Sequence, residues 1–255
     1  MTIVLKREFY KLTKRKITWI APILMLAFMI FIGTAMGSTY HNLLIMSCFD
    51  SGDCLLLVLV IIGSTVFSAA FQSHTILTEL YKAPSRLNVH GAKLLVLLLY
   101  NFALHLLAIV WTCILSWVTF KQPVQWFKVY QHHQPLIVNL LTTTGLDILV
   151  GMLIIGFVFL TSCLIRSNAV VTTFNMIIIF MGPFVTRNLI GVKPQLASII
   201  KWNPLAMTNL TQQYYNYVAY HPVTLLRTDQ LLWGTLGYGL LLITLGYLAF
   251  RKRQF

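Results

Sequence analysis

The residues that could do chemistry are few and widely separated in this sequence. Six of the 255 residues are acidic, and only Asp147 falls within a long apolar run. An ionisable group inside a membrane is costly, and it indicates a proton relay, a substrate contact or a buried structural pairing. We expect Asp147 near the outer end of its span, where water or an outer Lys or Arg can satisfy it and a structural or interfacial role is favoured over a functional one.

Three polar side chains, those of Asn101, His105 and Asn175, also fall within apolar runs. Asn101 and His105 are four residues apart, so they share one face of a helix. Polar side chains in membrane helices mostly form hydrogen bonds across helices, and this is the favoured interpretation. In the alternative, these three residues and Asp147 line a substrate path.

No catalytic or nucleotide-binding motif is present in the sequence. It contains no Gly-x4-Gly-Lys-Ser/Thr loop, no His-Glu-x2-His pair and no Gly-x-Ser-x-Gly elbow. Cys48 and Cys54 fit neither a zinc nor a redox spacing, and two free thiols are favoured over a disulfide. The other acidic residues are scattered along the chain. The sequence therefore predicts no catalytic residue, no resident metal and no cofactor in this chain.

The composition indicates that lipid is the solvent of most side chains. Hydrophobic residues make up 58% of the chain and charged residues 10%, whereas a typical soluble domain has about 25% charged residues. The net charge is +13. Because the basic residues stand beside the apolar runs, the expected partners are anionic membrane lipids rather than nucleic acid.

Six apolar segments can cross a bilayer as helices, for which about 20 residues are needed. We expect an all-α membrane protein with a single transmembrane domain, 1–255. Residues 1–16 are predicted to form an amphipathic helix on the membrane surface, with Leu5, Phe9 and Leu12 on its apolar face. The predicted spans are residues 17–36, 55–71, 94–120, 145–165, 169–186 and 231–250.

The distribution of Lys and Arg predicts the orientation. With the N-terminus inside, 13 of the 19 basic residues fall in cytoplasmic segments, as the positive-inside rule requires. Both termini are then cytoplasmic, and residues 187–230 form a long outer segment. That segment is too apolar for a plain loop, so short helices dipping into the membrane are expected there.

Four features together resemble the permease subunit of ABC-2 type ATP-binding-cassette transporters. They are the basic amphipathic segment REFYKLTKRK at 7–16, the stretch from 75 through APSR at 83–86 to GAKLL at 91–95, the long outer segment, and the ending GYLAFRKR at 246–253. The resemblance implies that two permease chains pair, as a homodimer or with a sister chain. It also implies a separate ATPase subunit, which holds the ATP and magnesium.

The resemblance further implies where the ATPase docks. The connection 73–93 is expected on the cytoplasmic side, and a short helix at about 73–84 is expected to enter a cleft of the ATPase. The residues expected to couple this chain to the ATPase are Thr75, Ile76, Glu79, Leu80, Tyr81, Pro84 and Arg86.

The expected function is export of a hydrophobic or amphipathic peptide, toxin or drug across a bacterial plasma membrane. Small chains of this kind resemble bacterial exporters of peptides or drugs, including those that give immunity to lantibiotics. Two alternatives remain. A self-contained secondary transporter or channel needs several charges within the membrane, and a lipid-modifying enzyme needs acidic, His or Cys residues clustered at one membrane level.

Overall fold

The fold is built almost entirely of helices. The structure is a computed structural model that describes residues 2–72, 76, 81, 85–120, 123–165 and 167–252. In chain order its α-helices are α1 Thr2–Thr13, α2 Lys16–Met36, α3 His41–Met46, α4 Ser51–Gln72, α5 Arg86–Thr119, α6 Leu136–Leu164, α7 Asn168–Val192, α8 Ala197–Ile200, α9 Leu210–Tyr215, α10 Tyr217–Thr224 and α11 Thr228–Lys252.

Six segments are long and apolar enough to cross a membrane. They are α2, the combined α3–α4 segment His41–Ser68, α5, α6, α7 and α11. No β-strand occurs in the part of the chain that the structure describes, where one isolated bridge joins Val129 and Pro135. The prediction of an all-α membrane protein with six spans is therefore confirmed.

Several helices are longer than the apolar runs that predicted them. α6 begins at Leu136 rather than at 145, and α5 begins at Arg86 rather than at 94. A hydropathy profile misses such helix ends when their polar side chains form hydrogen bonds within the protein. Asn139 illustrates this, because its Nδ2 donates to the carbonyls of Gln131 and Gln134 at 3.1 and 3.3 Å.

The loop segments are shortened in the same way. Residues 86–93 were expected in the connection 73–93 but lie in α5. The segment predicted as 187–230 loses its ends to α7 and α11, and short helices α8, α9 and α10 occupy much of what remains. The backbone of this segment is therefore largely satisfied by helical hydrogen bonds.

The central helix of the bundle is α6, which packs against α4, α5, α7 and α11. Small residues bring α6 and α11 together. A Cβ at Gly156 would lie 3.2 Å from the Cβ of Leu242 and 3.3 Å from the carbonyl oxygen of Gly239. Glycines allow this close approach between membrane helices.

The bundle has two distinguishable ends. At the end that carries α1, which we name the terminal end, Arg86 Nη1 donates to the carbonyl of Arg251 at 2.7 Å and joins the start of α5 to the end of α11. At the opposite end, named the far end, Gln131 Nε2 donates to the carbonyl of Tyr215 at 3.2 Å. Each end therefore combines residues that are distant in sequence.

A buried aromatic cage near the terminal end surrounds His90. The His90 ring centroid lies 5.4 Å from those of Phe67 and Phe159, and 5.6 Å from those of Tyr247 and Phe250. Neither ring nitrogen of His90 has a hydrogen-bond partner. A buried polar group left without a partner destabilises a fold by about 1–3 kcal/mol.

His90→Phe should therefore leave the protein as stable as the wild type or stabilise it by about 1–3 kcal/mol. The new ring fills the same cage without unpaired nitrogens. Thermal unfolding in lipid nanodiscs measures the effect. His105→Phe is the matched control and should destabilise, because His105 Nδ1 donates to the carbonyl of Asn101 at 2.9 Å. A clear loss of stability in His90→Phe would contradict this account of the cage.

Candidate functional site

The terminal end is organised by a buried ion pair between α1 and α5. Lys93 Nζ lies 2.8 Å from Glu8 Oε2, and both side chains are buried. Lys11 Nζ, one turn along α1, lies 2.7 Å from the other carboxylate oxygen, Oε1. The carboxylate thus bridges the surface helix to the third membrane span.

Only part of the apolar stripe predicted for α1 packs against the bundle. Leu12 is buried and Leu5 partly so, but Phe9 is 52% exposed. The face that packs on the bundle is Leu5–Glu8–Leu12, which is a helical spacing of three and four residues. Hydropathy could not find it, because the central position is a carboxylate whose partner, Lys93, is 85 residues away.

Side-chain hydrogen bonds also fix α1 to the start of α2. Thr18 Oγ1 donates to the carbonyl of Leu12 at 2.7 Å, and Trp19 Nε1 donates to the carbonyl of Thr13 at 2.8 Å. Tyr100 on α5 donates to the carbonyl of Thr18 at 3.0 Å. Helices α1, α2 and α5 therefore form one connected unit at this end.

The charge balance favours the ionised form of Glu8. Burial raises the pKa of Glu8, but the attraction of Lys93 and the hydrogen bonds from Lys11 and Lys93 outweigh it, so the pKa lies below its ordinary value of 4.5. The carboxylate is consequently charged at neutral pH and pairs with both ammonium groups.

Three of the residues expected to couple to an ATPase, Ile76, Tyr81 and Arg86, lie at this same end. Ile76 and Tyr81 are both helical; Ile76 is 3% exposed and belongs to the main hydrophobic cluster, whereas Tyr81 is 92% exposed. The backbone of α5 starts immediately beyond, where the Ser85 hydroxyl accepts from the amide of Asn88 and caps the helix that begins at Arg86. Four further predicted coupling residues, Thr75, Glu79, Leu80 and Pro84, lie outside the described residues.

The polar residues of the spans are buried between helices. Asn101 Nδ2 donates to the carbonyl of Ile148 at 3.1 Å and joins α5 to α6. Asn175 Oδ1 accepts from Thr161 Oγ1 at 2.9 Å and joins α7 to α6. His105 bonds within α5, to the carbonyl of Asn101. The expected cross-helix hydrogen bonds are present for the two asparagines, and a role for these residues in a substrate path stays a prediction.

The far end gathers three carboxylates, two from one part of the sequence and one from another. Asp50 and Asp53 lie at the start of α4, and Asp147 lies on α6. A Cβ at Gly52 would stand 2.9 Å from Asp147 Oδ1 and 3.0 Å from Oδ2, so the Asp147 carboxylate rests on the first turn of α4. Half of the six acidic residues therefore meet at one place.

Asp147 lies deeper in its helix than the predicted span 145–165 indicated, and its place near the outer end of that span stays a prediction. Because α6 starts at Leu136, Asp147 is eleven residues into the helix, which is about 16 Å along its axis. Its position beside Gly52 is set by the close packing of α6 on α4. Asp50 and Asp53 precede span two, and Asp147 lies in the first part of span four. Because consecutive spans cross the membrane in alternating directions, spans two and four start at the same end. This was the signal available in the sequence.

The short helix α9 covers this acidic cluster. Gln212 Nε2 donates to Asp53 Oδ1 at 3.0 Å, and the Tyr215 hydroxyl donates to Asp50 Oδ1 at 3.3 Å. Burial, and then the nearby Asp50 charge, raise the pKa of Tyr215. The phenol consequently stays protonated and remains a hydrogen-bond donor.

An unusual turn presents Asp50. Cys48, Phe49 and Asp50 are consecutive residues with φ of +50°, +52° and +56°, a left-handed conformation that residues with a Cβ rarely adopt in succession. Phe49 is buried, and its ring stacks on Phe120 at 5.9 Å. Cys48 and Cys54 are both buried free thiols, as favoured from their spacing.

Among the described residues no group of three or more His, Cys, Asp or Glu side chains could hold a metal ion. The arrangement instead offers hydrogen-bond acceptors at the far end and a connected, ion-paired helix unit at the terminal end. With six membrane-spanning helices, these features define a polytopic α-helical membrane protein.

Comparison with known proteins gives the family. A family model described as "ABC-2 family transporter protein" matches residues 4–182, which is more than two thirds of the chain. The chain therefore belongs to the ABC-2 transporter family and is a membrane component of a transporter. No curated protein matches it.

Proposed function

We propose that this chain is the membrane-spanning permease of an ATP-binding-cassette exporter, driven by ATP hydrolysis on a separate subunit that holds the ATP and magnesium. The observation that carries the proposal, beside the family, is the contrast between Ile76 and Tyr81. Ile76 is buried in the bundle, and Tyr81, five positions later, is almost completely exposed. Such a segment can bind a partner and transmit its movement to the spans.

The terminal end is assigned to the cytoplasm. The distribution of Lys and Arg supports this assignment, because 13 of the 19 basic residues fall on that side. The far end, with its acidic cluster, then faces outward. A bacterial plasma membrane is the proposed location.

A second permease chain, identical or a sister, is the proposed membrane partner. Helices α2 and α7 leave large apolar side chains exposed, among them Trp19, Ile23, Phe31, Phe174 and Phe184. Lipid or a second chain must cover these faces. Substrates of the proposed exporter are hydrophobic or amphipathic peptides, toxins or drugs.

Asn101, His105, Asp147 and Asn175 remain the proposed residues of the substrate path. Asn101, His105 and Asn175 are buried in the described arrangement. A substrate can reach these three only if the helices separate during the transport cycle. Asp147 is more accessible and lies nearest to the far end.

Co-purification tests the proposed function. The tagged chain is extracted from its native membrane in mild detergent, and stoichiometric partners are identified by mass spectrometry. We expect an ATPase with a phosphate-binding loop. A chain that copurifies with no ATPase, under conditions that keep a known transporter intact, and that transports in response to a proton gradient would instead support the self-contained transporter.

A further inference from the structure

We propose that the acidic cluster at the far end is a binding site for a primary ammonium group carried by an amphipathic molecule. The site consists of the carboxylates of Asp50, Asp53 and Asp147 with the free oxygens of Thr211 and Gln212. As an assignment of substrate class the inference rests on the proposed function, but the binding itself requires no ATPase.

The first argument is the charge of the site. Among the described residues, the ion pairs join Glu8 with Lys11, Glu8 with Lys93, and Arg227 with Asp229. None of these pairs involves the three clustered carboxylates, each of which is partly buried. Because a buried carboxylate is costly without a counter-charge, the cluster is suited to a cationic ligand.

The second argument is independent of charge and concerns unused hydrogen-bonding capacity. The Thr211 hydroxyl is on a side chain only 3% exposed and faces Asp147, yet it makes no hydrogen bond of good geometry. The Oε1 atom of Gln212 is also buried without a partner, although its Nε2 donates to Asp53. Both oxygens can accept a hydrogen bond from a ligand placed between α9 and the carboxylates.

The chemistry of the acceptors selects the ligand. An ammonium group carries three N–H donors and no acceptor, which matches a site made of carboxylate, hydroxyl and amide oxygens. The donors already present, Gln212 Nε2 and the Tyr215 hydroxyl, each occupy one carboxylate oxygen. They hold Asp53 and Asp50 in place and leave the other oxygens of those carboxylates available.

A cleft beside the cluster supplies a route for the rest of such a molecule. It has a volume of about 410 Å³, and its lining includes Tyr40, Tyr130 and Tyr215. Tyr215 belongs to both features, because its hydroxyl donates to Asp50. Aromatic faces attract a cation and cover an alkyl chain, so the ligand expected here is amphipathic.

The test uses the purified full chain in nanodiscs of neutral phosphatidylcholine, with n-octylammonium as the probe. Thermal unfolding is followed as the probe is titrated, and n-octanol and sodium chloride are titrated in parallel. We expect octylammonium alone to raise the unfolding temperature in a saturable manner. Asp147→Asn and Asp53→Asn should each weaken the apparent affinity at least tenfold. Asp229→Asn, a change of an exposed carboxylate paired with Arg227, is the matched control and should leave the affinity unchanged.

Three outcomes would overturn the proposal: equal stabilisation by octanol, equal stabilisation by sodium chloride, and unchanged affinity in both Asp variants. If Asp147→Asn does not fold, Asp53→Asn and Thr211→Val decide the matter, and unchanged affinity in both also overturns it. Octylammonium binding with no copurifying ATPase would reject the proposed function and keep the ammonium site.

Discussion

Glu8→Gln should destabilise the protein by about 3–5 kcal/mol, because it removes one partner of a buried ion pair. The change keeps the size of the side chain but takes away the carboxylate that faces the buried ammonium of Lys93 at 2.8 Å. A buried charged group that loses an ion-pair partner is costly. Thermal or denaturant unfolding of the protein in nanodiscs measures the loss.

The two lysines around Glu8 provide graded controls. Lys93→Met should destabilise less than Glu8→Gln, since Glu8 keeps its contact with Lys11 at 2.7 Å. Lys11→Met should have the smallest effect, about 0–1 kcal/mol, because the Lys11 side chain is 44% exposed to solvent. The order Glu8, Lys93, Lys11 follows from the ion pairs that each change removes: Glu8→Gln removes both, Lys93→Met leaves the pair of Glu8 with Lys11, and Lys11→Met leaves the buried pair intact. Equal effects in all three variants would contradict it.

The same pair predicts a dependence on pH. The pKa of Glu8 is lowered in the fold, so its stabilising contribution is complete above its ordinary value of 4.5 and is lost as the pH falls through the lower, folded value. The difference in unfolding temperature between wild type and Glu8→Gln should therefore stay constant at neutral and weakly acidic pH and shrink only below that range. A difference that disappears already near neutral pH would show that another group is responsible.

Tyr81→Ala should abolish most coupling to the ATPase while the fold stays intact. Tyr81 is 92% exposed, so its ring contributes little to packing within this chain. Exposed aromatic residues that enter a partner's pocket often contribute 2 kcal/mol or more to binding, which is about a 30-fold loss of affinity on truncation. Copurification of the ATPase and substrate-stimulated ATP hydrolysis are the two readouts.

Tyr10→Ala is the matched control for this variant. Tyr10 is also an exposed tyrosine of the terminal end, at 62% exposure, but it lies on α1 rather than in the proposed coupling segment. Its loss should leave ATPase binding unchanged. If the two variants weaken binding equally, the ATPase contacts the whole terminal end rather than the segment around Tyr81. If neither does, the assignment of that segment is wrong.

The class of protein was predictable from the sequence because lipid imposes a simple rule. A span needs about 20 apolar residues, and the count of such runs gives the number of helices. Their ends were less predictable. Asn139 and Asp147 reduced the apparent apolar length of α6, although both side chains lie inside the protein, against backbone carbonyls and Gly52 respectively.

The acidic cluster could not be found by spacing, because its members are joined only by tertiary packing. Asp53 and Asp147 are 94 positions apart, and Gln212, which bonds Asp53, is a further 65 positions along. The face of α1 that packs on the bundle could not be predicted for the same reason, since Glu8 counts as polar until Lys93 is brought beside it. Sequence patterns show which residues prefer lipid, but they do not show which buried polar residues bond to each other.

The left-handed turn at Cys48–Asp50 bears on how the chain assembles during synthesis. Each such residue costs about 1–2 kcal/mol, so the turn must be held in place by the burial of Phe49 against Gly33 and Phe120. Phe120 leaves the ribosome 71 residues after Phe49. We therefore expect the first two spans to enter the membrane with a relaxed connection, and the strained turn to form once the third span lies beside them.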